Sequence, residues 1–145
     1  MRLTTFTDYT IRVLIYMGIY PDCRISTSEL AVHYGISRNH LNKVAHYLGQ
    51  QGYVDTSRGK GGGMSLARSP EDINIGTLVR DTEKNSVLVE CFDAAHCHCR
   101  ILPACRLTGM LHEAQEAFYY SLEQYSLADL IVDKARLHDV LGASG

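Results

Sequence analysis

The sequence predicts a mainly α chain with one small β wing, and three observations carry that prediction. Apolar residues recur at three- and four-residue spacing through most of the chain, the period of an amphipathic helix. Two short segments, Tyr53-Val54-Asp55-Thr56 and Met64-Ser65-Leu66-Ala67, flank a glycine-rich run and read as the strands of a hairpin. Four of the five cysteines fall within fifteen residues, from Cys91 to Cys105, in a run with neither helical nor strand periodicity. Packing is a poor explanation for them, so the run reads as a ligand loop in which soft thiolates surround one metal centre.

The 145 residues suffice for one good core, or for a small domain plus an extended element that needs a partner chain. The longest nearly unbroken apolar run, Val13 to Tyr20, is far shorter than the roughly 20 residues of a membrane helix. Met1-Arg2-Leu3-Thr4-Thr5 leads directly into an amphipathic helix, so a cytoplasmic protein without a signal peptide or membrane partner is expected. Cytosolic thiols stay reduced, and an odd cysteine count also favours metal or redox chemistry over disulfides. The net charge of −2 conceals an asymmetry. Residues 1–70 carry eight Lys and Arg against four Asp and Glu, and residues 71–145 carry six against twelve. Only the first half is suited to a polyanion.

Taken in order, Thr7-Asp8-Tyr9 opens the first helix, with Ile11, Leu14, Ile15 and Ile19 on one face and Pro21-Asp22 as its stop. Asp8 lies in the first turn, where the helix dipole favours a carboxylate. Cys23 follows in the connecting turn, apart from the cluster of thiols. Ser26-Thr27-Ser28-Glu29 starts a short helix that ends at Gly35, and Ser37 starts another that carries Leu41, Val44, Ala45 and Leu48 inward as far as Gly49 and Gly52. Two short helices joined at a glycine form a helix-turn-helix. Arg38, Asn39, His40, Asn42 and Lys43 concentrate hydrogen-bonding groups at the N-terminal end of the second helix, the end that enters a major groove; a solvated face is the plainer alternative.

The wing follows. Its tip, Ser57-Arg58-Gly59-Lys60-Gly61-Gly62-Gly63, carries Arg58 and Lys60 beside glycines and suits a phosphate backbone. Walker spacing is absent, which excludes a nucleotide-binding P-loop. Ser69 to Asn74 is a turn and Ile75 to Arg80 begins another helix. After the cysteine loop, Leu107, Met110, Leu111, Ala114, Phe118, Ser121, Leu122 and Tyr125 mark a helix of ~20 residues, ~30 Å long. Its apolar stripe is too long for so small a domain to cover, which predicts pairing with a second copy across a two-fold axis. Ser126 caps a last helix with Asp129 at the capping-box position. The expected organisation is a winged helix-turn-helix DNA-binding domain (1–80), a cluster-binding loop region (81–106), and a dimerisation helix with a C-terminal helix (107–145).

Leu3-Thr4-Thr5-Phe6-Thr7-Asp8-Tyr9, Ser37-Arg38-Asn39-His40-Leu41, Arg58-Gly59-Lys60-Gly61-Gly62-Gly63 and Pro103-Ala104-Cys105-Arg106-Leu107 together resemble the iron-sulfur winged-helix repressor family (IscR/NsrR-like) over almost the whole chain. The resemblance is closest to the family's nitric-oxide-sensitive branch. It implies a non-enzymatic, homodimeric transcriptional repressor that binds a double-stranded DNA operator through Ser37, Arg38, Asn39, His40, Asn42, Lys43, Arg58 and Lys60. It also implies an iron-sulfur cluster, 4Fe-4S with 2Fe-2S as the alternative, held by Cys91, Cys99 and Cys105. Nitric oxide is the implied signal, and the implied targets are genes of nitric oxide detoxification.

Cys91 and Cys99 are separated by seven residues, longer than the family's usual gap, and Cys97 restores five only by lengthening the second gap. Cys99 is favoured because Ile101 and Pro103-Ala104-Cys105 anchor its side of the match, with Cys97 as the alternative. The fourth ligand implied is Asp8 of the partner subunit, with His96 and His98 as competitors. Where the cluster-assembly branch has a ligating histidine, this chain has Thr108. An iron-sulfur status or redox sensor, and a DNA-binding module stabilised by zinc, are the remaining alternatives.

Overall fold

A computed structural model describes residues 2–142. In order, the elements are α1 (Thr5–Ile19), α2 (Thr27–Tyr34), α3 (Arg38–Gln50), β1 (Val54–Ser57), β2 (Gly63–Leu66), α4 (Ile75–Thr82), α5 (Arg106–Glu123), α6 (Leu127–Leu130) and α7 (Lys134–Gly142), with single 3-10 turns at Pro70–Asp72, Glu90–Phe92 and Leu102–Ala104. The fold is mainly α with one two-stranded antiparallel wing, as the sequence predicts.

Local chemistry sets most helix starts. The side chains of Ser26, Ser37 and Asn74 accept hydrogen bonds from the backbone N–H groups of Glu29, His40 and Thr77, satisfying donors that the first turn leaves without intrahelical partners. Helix α1 begins two residues earlier than Thr7, because the Thr4 hydroxyl caps it by accepting from the Thr7 N–H at 3.3 Å. Gly35, at φ +63°, ends α2 in the left-handed conformation that glycine adopts without strain.

The core joins the helix-turn-helix to later elements. Val13, Leu14 and Met17 of α1 are buried with Leu30 of α2, Leu41, Val44 and Leu48 of α3, Leu78 and Val79 of α4, and Leu127 and Ile131. Gly18 permits this last approach, since a Cβ there would meet Ile131 Cδ1 at 2.8 Å. Each buried leucine contributes on the order of 2–5 kcal/mol against truncation to alanine.

In the wing, Val54 pairs with Leu66 and Ser57 with Gly63. Ile25, just before α2, exchanges two backbone hydrogen bonds of 2.8 Å with Met64, tying the wing's second strand to the helix-turn-helix. Arg68 donates to the carbonyls of Gln51 and Gly52 at 2.8 and 2.9 Å and lies over the Tyr53 ring. A guanidinium at the C-terminal end of α3 satisfies carbonyls the helix leaves open and complements its dipole.

Helix α5 has 18 residues, about 27 Å, and Tyr125 falls beyond its end. It crosses α4, where Arg80 makes a two-pronged contact to Glu116 at 2.8 and 2.9 Å, reaches Glu123 and stacks over Tyr119. Leu107 and Met110 on its outer side are 57 % and 56 % exposed. The capping box at Ser126 and Asp129 forms, but the helix it opens stops at Leu130 and the chain restarts as α7. No helix among the described residues is long and apolar enough to cross a membrane.

Candidate functional site

The residues expected to form a recognition helix are placed by the cap that starts α3. Ser37 is the cap itself, and Arg38, Asn39, His40, Asn42 and Lys43 are all exposed over the first two turns. His40 also packs its ring against Tyr9 of α1, with centroids 5.9 Å apart. Arg58 and Lys60 are exposed at the wing tip. Gly62 keeps that tip narrow: a Cβ there would meet the Ser57 carbonyl oxygen at 2.5 Å.

Polar contacts fasten α3 and α1 to α4 and to the segment just past it. The Tyr47 hydroxyl of α3 donates to Asp81 of α4 at 2.6 Å. That bond holds the Asp81 carboxyl below the usual carboxylate range, with Lys84 adding to the effect against partial desolvation. Glu83, just past α4, is buried and accepts from the backbone N–H and hydroxyl of Thr4, both at 2.8 Å, and from the hydroxyl of Thr7. Burial favours the neutral acid, but these donors outweigh it and leave the carboxyl below its ordinary value. The head of α1, which bears Asp8, is therefore fastened to the residue from which the cysteine loop departs.

Asp8 lies in the first turn of α1, about half exposed, and pairs with Arg12 one turn on at 2.8 Å. Its carboxylate stays at the surface within reach of solvent.

In the loop, Cys91, Cys97, Cys99 and Cys105 are free thiols of intermediate burial. Cys105 precedes α5, and the thiol pKa is lowered chiefly by the Thr108 hydroxyl, with the N–H groups of Thr108 and Leu107 assisting. The Cys91 sulfur lies 3.6 Å from the same Thr108 hydroxyl, so two thiols 14 positions apart meet at one side chain. Phe92 stacks on His112 of α5 with centroids 3.7 Å apart. Glu90 accepts from the His98 N–H, and His96 pairs with Asp93 at 2.8 Å while its side chain remains 81 % exposed.

The donor set suits a soft metal: reduced sulfurs on an irregular loop beside a helix N-terminus. Among the described residues, no three side chains of the ligating kinds converge on one point. Cys91 and Cys105 are gathered, and neither Cys99 nor Cys97 completes a ligating group with them. Sequence reasoning singled out every thiol but missed Glu83, Tyr47, His112 and the part played by Thr108. The signal for Thr108 was its spacing, one helical turn beyond Cys105; the others are settled by contacts between residues far apart in sequence.

Comparison with known proteins gives the class. The Rrf2 family, described as an iron-dependent transcriptional regulator, matches residues 3–133. The chain is 46% identical over 142 residues to the HTH-type transcriptional regulator NsrR of Shouchella clausii, covering 97% of this chain and 95% of that one. It is also 46% identical to the NsrR of Bacillus subtilis, covering 97% of both. Among solved structures, T. potens IscR superposes with a TM-score of 0.72 at 21% identity, over 92% of this chain and 88% of that one. CymR of B. subtilis superposes with a TM-score of 0.69 at 21% identity, over 90% and 95%. The exposed helix-turn-helix face, the wing and the thiol loop are thus those of a DNA-binding regulator rather than an enzyme, and the chain belongs to the Rrf2 family of iron-dependent transcriptional regulators.

Proposed function

We propose that this regulator is a homodimeric repressor that holds an iron-sulfur cluster, 4Fe-4S, on Cys91, Cys99 and Cys105, with Asp8 of the partner subunit as the fourth ligand. Nitric oxide is the proposed signal that releases it from the operators of nitric oxide detoxification genes. The observation that carries this reading is the meeting of Cys91 and Cys105 at Thr108, in a loop that leaves α4 beside the buried anchor of α1. When bound, the cluster would supply an iron that nitric oxide attacks, most readily where the ligand is a hard carboxylate on a soft centre.

The chain's own residues do the rest. Residues 1–80 form the reading unit, 81–106 the loop that holds the metal, and 107–145 the dimerisation unit. Ser37 fixes the start of α3, Arg38, Asn39, His40, Asn42 and Lys43 face the major groove, and Arg58 and Lys60 sit on the phosphate backbone. A ligand contributed by α1 of one protomer to the loop of its partner ties the two reading units together. Loss of that tie lets the recognition helices depart from the roughly 34–36 Å spacing of successive major grooves. Asp8 is free to serve because its charged partner among the described residues of its own chain is an exposed arginine.

The test is an anaerobic absorption spectrum with iron and sulfide assays, followed through a nitric oxide titration and paired with operator binding. A brown protein with a band near about 400 nm and roughly four iron and four sulfide per chain, bleached by nitric oxide, is expected. The cluster-free protein should bind the operator more weakly, since a ligand shifts an equilibrium only by differential affinity. A colourless protein containing zinc and no sulfide would reassign the loop to a structural role, and equal affinity of the two forms would overturn the switch.

A further inference from the structure

We propose that Thr108 is the positioning residue of the cysteine loop: its hydroxyl gathers the Cys91 and Cys105 thiols at the first turn of α5 before any metal arrives. The purpose of this arrangement rests on the metal-binding reading above, whereas the arrangement itself stands on contacts within the chain. Cys91 lies at the start of the loop and Cys105 at its end; the Thr108 hydroxyl is 3.6 Å from the Cys91 sulfur and stands one helical turn beyond Cys105, whose thiol it acts on most strongly. A hydroxyl carries one proton and two lone pairs, so it can donate to one sulfur while accepting from the other.

Helix α5 makes this corner rigid. Thr108 is β-branched and has few side-chain rotamers in a helix, which limits where its hydroxyl can point. One turn further along, His112 stacks flat on Phe92, the residue after Cys91, at an interplanar angle of 13°. Thr108 and His112 therefore hold both ends of the Cys91-Phe92 dipeptide on one stripe of α5. Glu90 draws the middle of the loop toward the same corner through the His98 N–H. Bringing together two ends of a flexible loop costs chain entropy, and a preformed pair of sulfurs removes that cost from metal capture. With Cys91 and Cys105 in place, only the segment bearing Cys99 has to move to complete a three-thiol set.

The hydroxyl also serves after capture. A group that hydrogen-bonds a ligating sulfur orients it and tunes the metal, and loss of such an outer partner typically costs 10–100-fold in affinity.

The experiment compares the wild-type chain with Thr108→Val, which keeps the branched shape without the hydroxyl, and Thr108→Ser, which restores it. The reduced, metal-free chain is treated briefly with dibromobimane, which becomes fluorescent on bridging two nearby thiols, and the bridged peptides are mapped by mass spectrometry. A Cys91–Cys105 bridge is expected in the wild type, several-fold less in Thr108→Val, and near wild-type yield in Thr108→Ser. In anaerobically prepared protein, iron should leave Thr108→Val for a chelator about tenfold faster. An undiminished Cys91–Cys105 bridge in Thr108→Val, or a serine variant that fails to restore it, overturns the inference even if the cluster assembles. A protein that assembles no cluster while the bridging follows the hydroxyl would overturn the proposed function and leave the positioning role of Thr108 in place.

Discussion

The Glu83 carboxylate, past the end of α4, accepts hydrogen bonds from both the backbone N–H and the hydroxyl of Thr4, 79 residues away in sequence. This contact binds the start of α1 to the start of the cysteine loop. A charge buried here is tolerated because Thr4 and Thr7 supply donors in place of water.

Replacing Glu83 by alanine should destabilise the fold by about 2–3 kcal/mol, because the Thr4 and Thr7 donors lose their partner in a water-poor site. Denaturant unfolding checks this. A change under about 0.5 kcal/mol would mean that water reaches the site and substitutes for the carboxylate.

The same residue sets a dependence on acid. Its folded-state pKa lies below the ordinary value of 4.5, so the folded chain holds fewer protons there than the unfolded chain. Its stabilisation is present above that value and is lost as pH falls through the folded-state pKa. Unfolding of wild type and Glu83→Gln from neutral pH to about pH 3 should therefore converge in acid. A constant difference between them would exclude Glu83 as the titrating group.

Asp8→Ala should leave folding stability within about 1 kcal/mol of wild type, since the pair it makes with Arg12 is exposed on both sides. The cluster should still form but be lost faster and respond differently to nitric oxide. Unaltered cluster lifetime and response would place the fourth ligand elsewhere, with His96 and His98 the next to test.

Arg38→Ala should weaken operator binding by about 1–3 kcal/mol and relax base preference while leaving the spectrum unchanged. Lys60→Ala should weaken binding to all sequences alike and reduce the salt slope by about one. Gel-shift titrations at several salt concentrations separate the two. Unchanged operator affinity would remove Arg38 from the interface.

Met110→Lys places a charge on the exposed apolar side of α5 and should shift sedimentation from dimer toward monomer. An unchanged dimer would show that another surface makes the contact between copies.

Caps and turns were legible in the sequence because their chemistry is local. Ser26 and Ser37 each satisfy a backbone donor three residues on, Asp129 accepts from the Ser126 N–H, and Gly35 adopts the left-handed turn expected of it. Thr4 was missed as the cap of α1 because nothing in the sequence marks it above Thr5 or Thr7; its place is secured by Glu83, which only the folded chain brings near. The loop was legible as a set of thiols, since four reduced sulfurs in fifteen residues have few other uses.

By itself the sequence determined the helix-turn-helix, the wing with its basic tip and the thiol-rich loop, because periodicity, capping and composition act over a few residues at a time; the family followed from resemblance of its motifs to known proteins. Tertiary structure alone decided that Cys91 and Cys105 meet at Thr108, that Glu83 anchors the head of α1, and that Leu127 and Ile131 pack into the core of the reading head. The Cys91–Thr108 and Thr4–Glu83 contacts join residues 17 and 79 positions apart. Loop-closure entropy and side-chain packing across the whole fold select such pairs, and no local pattern encodes either.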